Sequence, residues 1–349
     1  MLKKLIMKIL NPIISTLKSF RSQTSALDSR SLGFHNFYSP GKIMLTGEYL
    51  VLDGASSLAL PTMLGQSLNI KSKKTFSSPT LNWTGLDYQY KKWVGVKFRL
   101  NDFSIIDSTD SALGEKLQSI FRAVRQLNIH FLREEKEYFV TSKVEFPLNW
   151  GLGSSSTLLF NISQWAYVSP FELSRKTFGG SGYDIAVAEA KGPVIYKTED
   201  DQQEWKLLNL NFPFKDSLFF VHLKEKKNTQ SEIKYYNSLE RNKDFQQNID
   251  RISEITTLIL KCSNLEDFQK YVAEHEDIIS RVIKRQKVKD LYFKDFQGEV
   301  KSLGAWGGDF ALAVSSLGPD YINSYFNQLG YDTVIAYKDL ITDSSIFLK

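Results

Sequence analysis

The chain carries one cysteine, Cys262, in 349 residues. An intramolecular disulfide is therefore excluded, a thiolate metal centre cannot be built, and a reducing, cytoplasmic location is expected. Only four histidines occur, His35, His130, His222 and His275, far apart and with no HExxH-type pair, so a His/Cys metal centre is not expected either. No apolar run is long enough to cross a bilayer. The string GxxxxGK[ST] is missing, which excludes a Walker-type phosphate loop, and the HRD and DFG strings of protein kinases are missing too. Most of the chain also lacks an excess of either charge. The net charge of +5 belongs to residues 1–35, where Lys3, Lys4, Lys8, Lys18, Arg21 and Arg30 oppose Asp28 alone; the remainder carries 38 basic and 38 acidic residues. A neutral body gives no reason to expect nucleic-acid binding.

What is present fits a soluble globular protein: 42% hydrophobic and 24% charged residues, in a chain long enough for two cores. The length and composition suggest an N-terminal appendage over residues 1–35 and domains over 36–203 and 204–349, with the polar stretch 198–206 as boundary. In the appendage, Leu2, Leu5, Ile6, Ile9, Leu10, Ile13, Ile14 and Leu17 recur at helical spacing between lysines. Membrane-surface contact through residues 1–20 is one reading, and a true start near Phe34 is the other; residues 21–33 read as a linker. Phe37 to Asp53 reads as strand, turn, strand, with Pro40-Gly41 at the first turn. Ser111–Leu127 reads as an amphipathic helix, Ser169-Pro170 as a helix start, and 218–223, 310–315 and 333–337 as strands among helices. Strands alternating with helices imply an α+β fold.

Four small-residue segments carry the chemistry. They are Ser39-Pro40-Gly41-Lys42 through Gly47-Glu48-Tyr49, Pro147-Leu148-Asn149-Trp150-Gly151-Leu152-Gly153-Ser154-Ser155-Ser156-Thr157, Gly180-Ser181-Gly182-Tyr183-Asp184-Ile185-Ala186, and Lys301-Ser302-Leu303-Gly304-Ala305-Trp306-Gly307-Gly308-Asp309. The second reads as strand end, turn and helix start. It is either a plain Ser/Gly helix cap or a phosphate site, because the free N–H groups and positive dipole end of a helix converge on one point. Phosphoryl transfer needs a cradle, a cation and a carboxylate that orients or deprotonates the acceptor. The turn supplies the first, Lys42 the second and Asp184 the third.

In this order the segments resemble the GHMP kinase superfamily, named for galacto-, homoserine, mevalonate and phosphomevalonate kinases. The likeness runs from about Phe37 to the C-terminus, and PLNWGLGSSST is close to that family's PxxxGLGSSA signature. The resemblance implies a domain like ribosomal protein S5 domain 2 followed by a ferredoxin-like domain. It implies ATP with its phosphates on Gly151, Leu152, Gly153, Ser154, Ser155 and Ser156, and Mg²⁺ on Ser155, with Ser154 second. It implies Asp184 as base, with Lys42 favouring its ionised form and stabilising developing charge. Glu48, Gly182, Gly307, Gly308 and Asp309 would line the acceptor side. Mevalonate kinases of the family tend to show GEH, whereas the GEY, GYD and GGD strings here, with Gly182–Ala186 reading GYDIA, lean toward phosphomevalonate kinases; the acceptor is then a phosphate, as in phosphomevalonate, or an alcohol, as in mevalonate.

Some positions depart from that pattern. Trp306 stands where the family usually has glycine, which narrows the loop or lets it stack on a ligand. The family's Mg²⁺-binding Glu has no secure counterpart; Glu172 is near the right place but also reads as a helix-surface residue. Asp309 is either a substrate-side carboxylate or a turn cap, and Glu48 either a site residue or a strand-end surface Glu. Lys224, Lys226 and Lys227 read as a solvated basic turn, and His222 as a core residue. Alternatives within the fold are a sugar or other alcohol kinase and a diphosphomevalonate decarboxylase; outside it stands a catalytically inactive nucleotide-binding protein.

Overall fold

The computed structural model describes residues 34–199, 202–225 and 227–342; the expectations for residues 1–33 lie outside them. Strand β1 (Phe34–Thr46) runs unbroken through Pro40-Gly41, where a turn was expected. The pair instead makes a register shift against β2 (Ser57–Lys74), between Pro40 and Lys42. A bulge tolerates a proline without an N–H. Glycine is needed beside it: a Cβ on Gly41 would stand 2.5 Å from Thr62 Oγ1 and 2.8 Å from the Leu152 carbonyl. Leu50–Asp53, expected as strand, is a 3₁₀ turn closed by Gly54 at φ +93°.

The 18-residue β2 organises the first sheet. One edge pairs with β1. On the other, residues 57–59 pair with β7 (Val194–Glu199) and residues 66–74 with β6 (Lys136–Val144). The sheet extends through β3 (Thr80–Leu86), β4 (Lys92–Arg99) and β5 (Ile105–Ser108) on one side, and β8 (Gln202–Leu207) on the other, in the order β5-β4-β3-β6-β2-β7-β8. The polar stretch 198–206 therefore contributes strand to the first sheet. Its polarity is that of an exposed edge, not of a linker.

Helix α1 (Ser111–Leu127) starts where Asp110 accepts from the Leu113 N–H at 3.0 Å. Its Leu117, Ile120, Phe121 and Val124 pack with Leu81, Trp83 and Phe98 of the sheet and with α2 (Ser154–Ala166). Helix α3 (Pro170–Thr177) opens as expected, with Ser169 capping the Glu172 N–H, and α4 (Tyr183–Ala190) follows.

A second, antiparallel sheet has the order β10 (Glu299–Leu303), β11 (Phe310–Val314), β9 (Leu218–His222), β12 (Val334–Ala336). Strands β9 and β11 are buried throughout, and apolar but for His222, because both their faces are covered. Phe220, Leu312 and Val314 join the core of α6 (Phe245–Lys261) and α7 (Leu265–Val282), behind α5 (Thr229–Asn237). Phe219, Val221, Ala311 and Ala313 pack with Phe293 after α8 (Val288–Tyr292) and with Ile322 and Phe326 of α9 (Gly318–Gln328). The class is α+β. Ile43 and Leu45 of β1 and Leu58 and Leu60 of β2 share one apolar cluster with Phe220, Ile252, Ile255 and Phe268, so the two sheets have a common core. Among the described residues no helix is long and apolar enough to cross a membrane.

That core holds ions. Lys301 of β10 is fully buried, and its Nζ donates to Glu48 Oε1 at 2.5 Å and to the Ser302 carbonyl at 2.9 Å, with Glu276 Oε1 at 3.6 Å. Glu276 accepts from the Ser302 N–H at 3.0 Å. His275 Nε2 accepts from the Gly47 N–H at 2.9 Å, which puts its proton on Nδ1. Burial holds His275 well below its usual range, so it is neutral; Lys301 acts the same way. Burial also pushes Glu276 up to about 8, against the pull of Lys301.

Two outcomes follow from this cluster. Lys301→Met leaves Glu48 charged without its partner and costs about 3–5 kcal/mol in a urea titration. Glu276 binds its proton more tightly folded than unfolded, where its ordinary value is 4.5. Its contribution is therefore complete at pH 4 and lost as pH rises toward 8 and beyond. Relative to Glu276→Gln, the wild type should lose stability across that window, at up to about 1.4 kcal/mol per pH unit.

Candidate active site

The second segment forms a tight turn. Trp150 donates its N–H to the Pro147 carbonyl, Gly151 lies at φ +64°, and Gly153 at φ +87° starts α2. Both values lie in the left-handed region open to glycine. The first helical bond runs from the Thr157 N–H to the Gly153 carbonyl at 3.0 Å, leaving the N–H groups of Ser154, Ser155 and Ser156 at the helix mouth. The serines differ. Ser156 is buried and donates its hydroxyl to the Gly153 carbonyl at 2.9 Å. Thr157 donates to Gln66 Oε1 at 2.6 Å. Ser154 and the exposed Ser155 make no side-chain hydrogen bond among the described residues, so they are the two hydroxyls open to a ligand.

Three other segments meet this turn. The Lys42 N–H donates to the Leu152 carbonyl at 2.9 Å, and a Cβ on Gly153 would stand 3.0 Å from Lys42 Cγ, so the lysine stem lies along the glycine. A Cβ on Gly151 would stand 2.1 Å from Asp309 Oδ2: the carboxylate rests on the turn itself. Asp309 is held at φ +46° by donating its N–H to the Glu225 carbonyl at 2.6 Å and accepting from the Leu223 N–H at 2.8 Å. Asp184 lies in the first turn of α4, after Gly182 at φ +87°. The loop before it is fixed by Tyr196, whose hydroxyl donates to the Ser181 carbonyl.

Lys42 joins these groups. Burial disfavours its charge, yet its surroundings, Tyr183 with the carboxylates of Asp184 and Asp309, outweigh this and raise it above the usual lysine range. Lys42, Tyr183, Asp184 and Asp309 therefore form one cluster beside the turn.

The remaining expected residues separate from it. Glu48 is only 2% exposed and paired with Lys301, so the strand-end surface reading fails because a partner remote in sequence takes it into the core. Glu172 is exposed on the first turn of α3. Gly307 lies at φ +70°, and Gly308 is covered by the stem of Lys227. Lys224 is engaged by Asp332 at 3.1 Å and the Gly330 carbonyl at 2.7 Å. Trp306 is buried, donating Nε1 to the Gln286 carbonyl and its main-chain N–H to the Tyr49 hydroxyl, so its ring packs in the core and does not stack on a ligand. His222 is buried against Trp150 and Phe310, and burial lowers its pKa. Sequence reasoning gave no role to Tyr183, Tyr196 or Lys301. The available signals were an aromatic beside Asp184 and a lysine between Val300 and Leu303 in a short strand.

No family model matches this chain, and no curated protein matches it by sequence. Solved structures do match. The Methanococcus jannaschii mevalonate kinase is 15% identical, with a TM-score of 0.62 over 88% of this chain and 97% of that one. The fold is that of the GHMP kinases. A Streptococcus pneumoniae phosphomevalonate kinase, in complex with phosphomevalonate and AMPPNP, is 16% identical with a TM-score of 0.59 over 87% and 98%. A Lactococcus lactis galactokinase complexed with galactose is 13% identical with a TM-score of 0.61 over 93% and 98%. The likeness of GHMP segments read from sequence thus agrees with a likeness of the whole fold.

The close approach of Asp309 to Gly151 is open to a double-mutant cycle. Gly151→Ala should cost about 1–2 kcal/mol, from a strained positive φ and the carboxylate in its way. Adding Asp309→Ala should recover at least about 0.5 kcal/mol of that loss, measured by chemical denaturation. Strict additivity would show that the two residues do not touch.

Proposed function

We propose that this chain is an ATP- and Mg²⁺-dependent kinase of a small molecule, and that its acceptor is mevalonate or 5-phosphomevalonate. The observation that carries the reading is the convergence of Lys42 and Asp184 on the glycine turn that opens α2. ATP would lie with its phosphates at that helix mouth, where the turn's N–H groups and the dipole favour anions. The donor set there suits a hard cation that keeps several waters: Ser155, with Ser154 second, has an uncommitted hydroxyl. Glu172, exposed on another helix, offers no such fit. Bound Mg²⁺ would supply neutralisation of polyphosphate charge.

The chain's own residues supply the rest. Asp184 accepts the acceptor's hydroxyl proton as the new oxygen–phosphorus bond forms and the bond from the γ-phosphorus to the bridging oxygen breaks; the electron pair leaves on ADP. Lys42 opposes the charge that builds on the transferring group. Gly182, Gly308 and Asp309 would border the acceptor, with Glu48 acting from the core through Lys301. The GEY, GYD and GGD strings lean toward phosphomevalonate, and similarity to mevalonate and phosphomevalonate kinases supports both acceptors.

ADP release should be measured against mevalonate, 5-phosphomevalonate and galactose. Turnover is expected with one of the first two. Asp184→Asn should lower kcat by roughly 10²–10⁴-fold on an alcohol. It should cost much less on a phosphate acceptor, whose attacking oxygen is already largely ionised at neutral pH. Lys42→Met should lower kcat by about 10²-fold or more. Turnover on galactose alone would overturn the acceptor assignment, and no turnover on any acceptor would overturn the kinase reading.

A further inference from the structure

The end of the first sheet away from the candidate site has a surface of its own. Strand β1 runs from Phe34 toward Lys42, and β6 runs from Lys136 toward the glycine turn, so both lead from this end to the site. The length of β6 alone separates the two by roughly 25–30 Å. Two rows of outward side chains cross the strands here. Strand pairing aligns Phe34, Lys71, Phe139, Asn82 and Lys97, with Asp107 at the edge. Beside them run Lys73, Glu137, Thr80 and Arg99. None of these side chains is buried, whereas their chain neighbours Ile70, Tyr138, Leu81 and Phe98 pack in the core with α1.

The surface combines cations with exposed rings. The Lys71 Nζ lies 5.8 Å from the Phe34 ring centroid, and the Lys73 Nζ 5.1 Å from that of Phe139. Of Glu134, Glu135 and Glu137, the acids at this end, the first is taken by Lys136 and the last by Lys73 at 3.0 Å. Lys71, Lys74 and Arg99 are exposed, and no carboxylate stands opposite them: their cross-strand neighbours are Phe34 and Phe139, then Lys136, then Thr80. Beyond the second row, between β2 and β3, Phe76 is fully exposed. Its turn is ordered by its own bonds. Thr75 donates its N–H to the Glu135 carbonyl at 3.2 Å, and the Ser77 N–H donates to Thr75 Oγ1 at 3.2 Å.

A ring held out in water among unpaired cations suits one kind of surface. Anionic headgroups attract lysine and arginine, and aromatic rings settle at headgroup level. The chain before the sheet carries the same chemistry. Residues 1–33 place leucines and isoleucines at helical spacing among lysines, hold the chain's excess positive charge, and join the sheet at Phe34, in the first of these rows. Apolar residues alternating with lysines match a lipid surface, where both are rewarded; a nucleic-acid backbone rewards the lysines alone. We propose that this end of the first sheet, with Phe76 at its tip and Lys71, Lys74 and Arg99 around it, docks together with residues 1–33 on an anionic lipid bilayer, leaving the candidate site turned toward water.

The test is sedimentation of the full chain with vesicles of phosphatidylcholine alone or with a quarter phosphatidylglycerol. Binding is expected to the second only, and should be lost at 0.5 M salt. Phe76→Ser should lower the partition coefficient about tenfold. The double variant Lys71→Glu/Lys74→Glu should lower it at least about tenfold. The same charge change in the second domain, Lys270→Glu/Lys294→Glu, should alter it by less than about threefold. All six positions are solvent-exposed, so an unchanged thermal midpoint should confirm that each variant is folded. Failure of the wild type to bind overturns the proposal, and so does binding that survives both sheet-end variants, which would assign it to residues 1–33 alone. A dimer in light scattering that Phe76→Ser dissociates, without vesicle binding, would make this face a contact between copies of the chain. Protection of the Phe76 amide from hydrogen exchange without vesicles would show that residues 1–33 cover the turn. Either result overturns the proposal, and neither bears on the kinase reading.

Discussion

The structure depends on a buried charge pair. Glu48 and Lys301 sit 2.5 Å apart in a core shared by both sheets, and neither is tolerable there without the other. Glu48 belongs to the loop after β1, Lys301 to the strand before the Trp306–Asp309 loop. The neighbouring Tyr49 reaches the same loop, accepting from the Trp306 N–H at 2.9 Å. Two adjacent side chains of the GEY string thus hold Lys301 and Trp306, two points of the segment that leads to Asp309 at the glycine turn. The site's edge is set from inside the core.

Around the turn itself the constraint is crowding. Gly151 and Gly153 are occupied from outside by Asp309 and Lys42, so a methyl group at either position would meet a charged side chain. Where four segments meet with charges of both signs, what matters is which ions pair and which are kept apart. Lys42 faces two carboxylates and one phenol.

Much of this was legible in sequence wherever the cause was local. Helix α1 follows its apolar spacing and its Asp110 cap, α3 its Ser169-Pro170 start, and the glycines and serines of the second segment announce a turn before a helix. Lys42, Asp184 and Asp309 were selected by chemical type, and the fold brings them beside one another. The failures have non-local causes. Pro40-Gly41 reads as a turn unless β2 and Leu152 are known to lie against it. The apolar run Leu50–Asp53 reads as strand, although it is a 3₁₀ turn packed in the common core. Glu48 looks like a surface residue because its partner lies 253 positions away. Trp306 invites a ligand-stacking role because nothing nearby in sequence hints at the Gln286 carbonyl.

The path of β2 also has a consequence for the order in which the chain takes shape during synthesis. Its far half can pair with β6 once residue 144 has emerged, but its first residues pair with β7, so Ser57 waits for Tyr196. Asp184 and its helix lie between those two strands in sequence. The first sheet therefore closes only after the glycine turn and the acidic helix have both been made. A nascent chain halted before β7 would expose an unpaired edge of β2, the kind of edge that recruits strands from other chains.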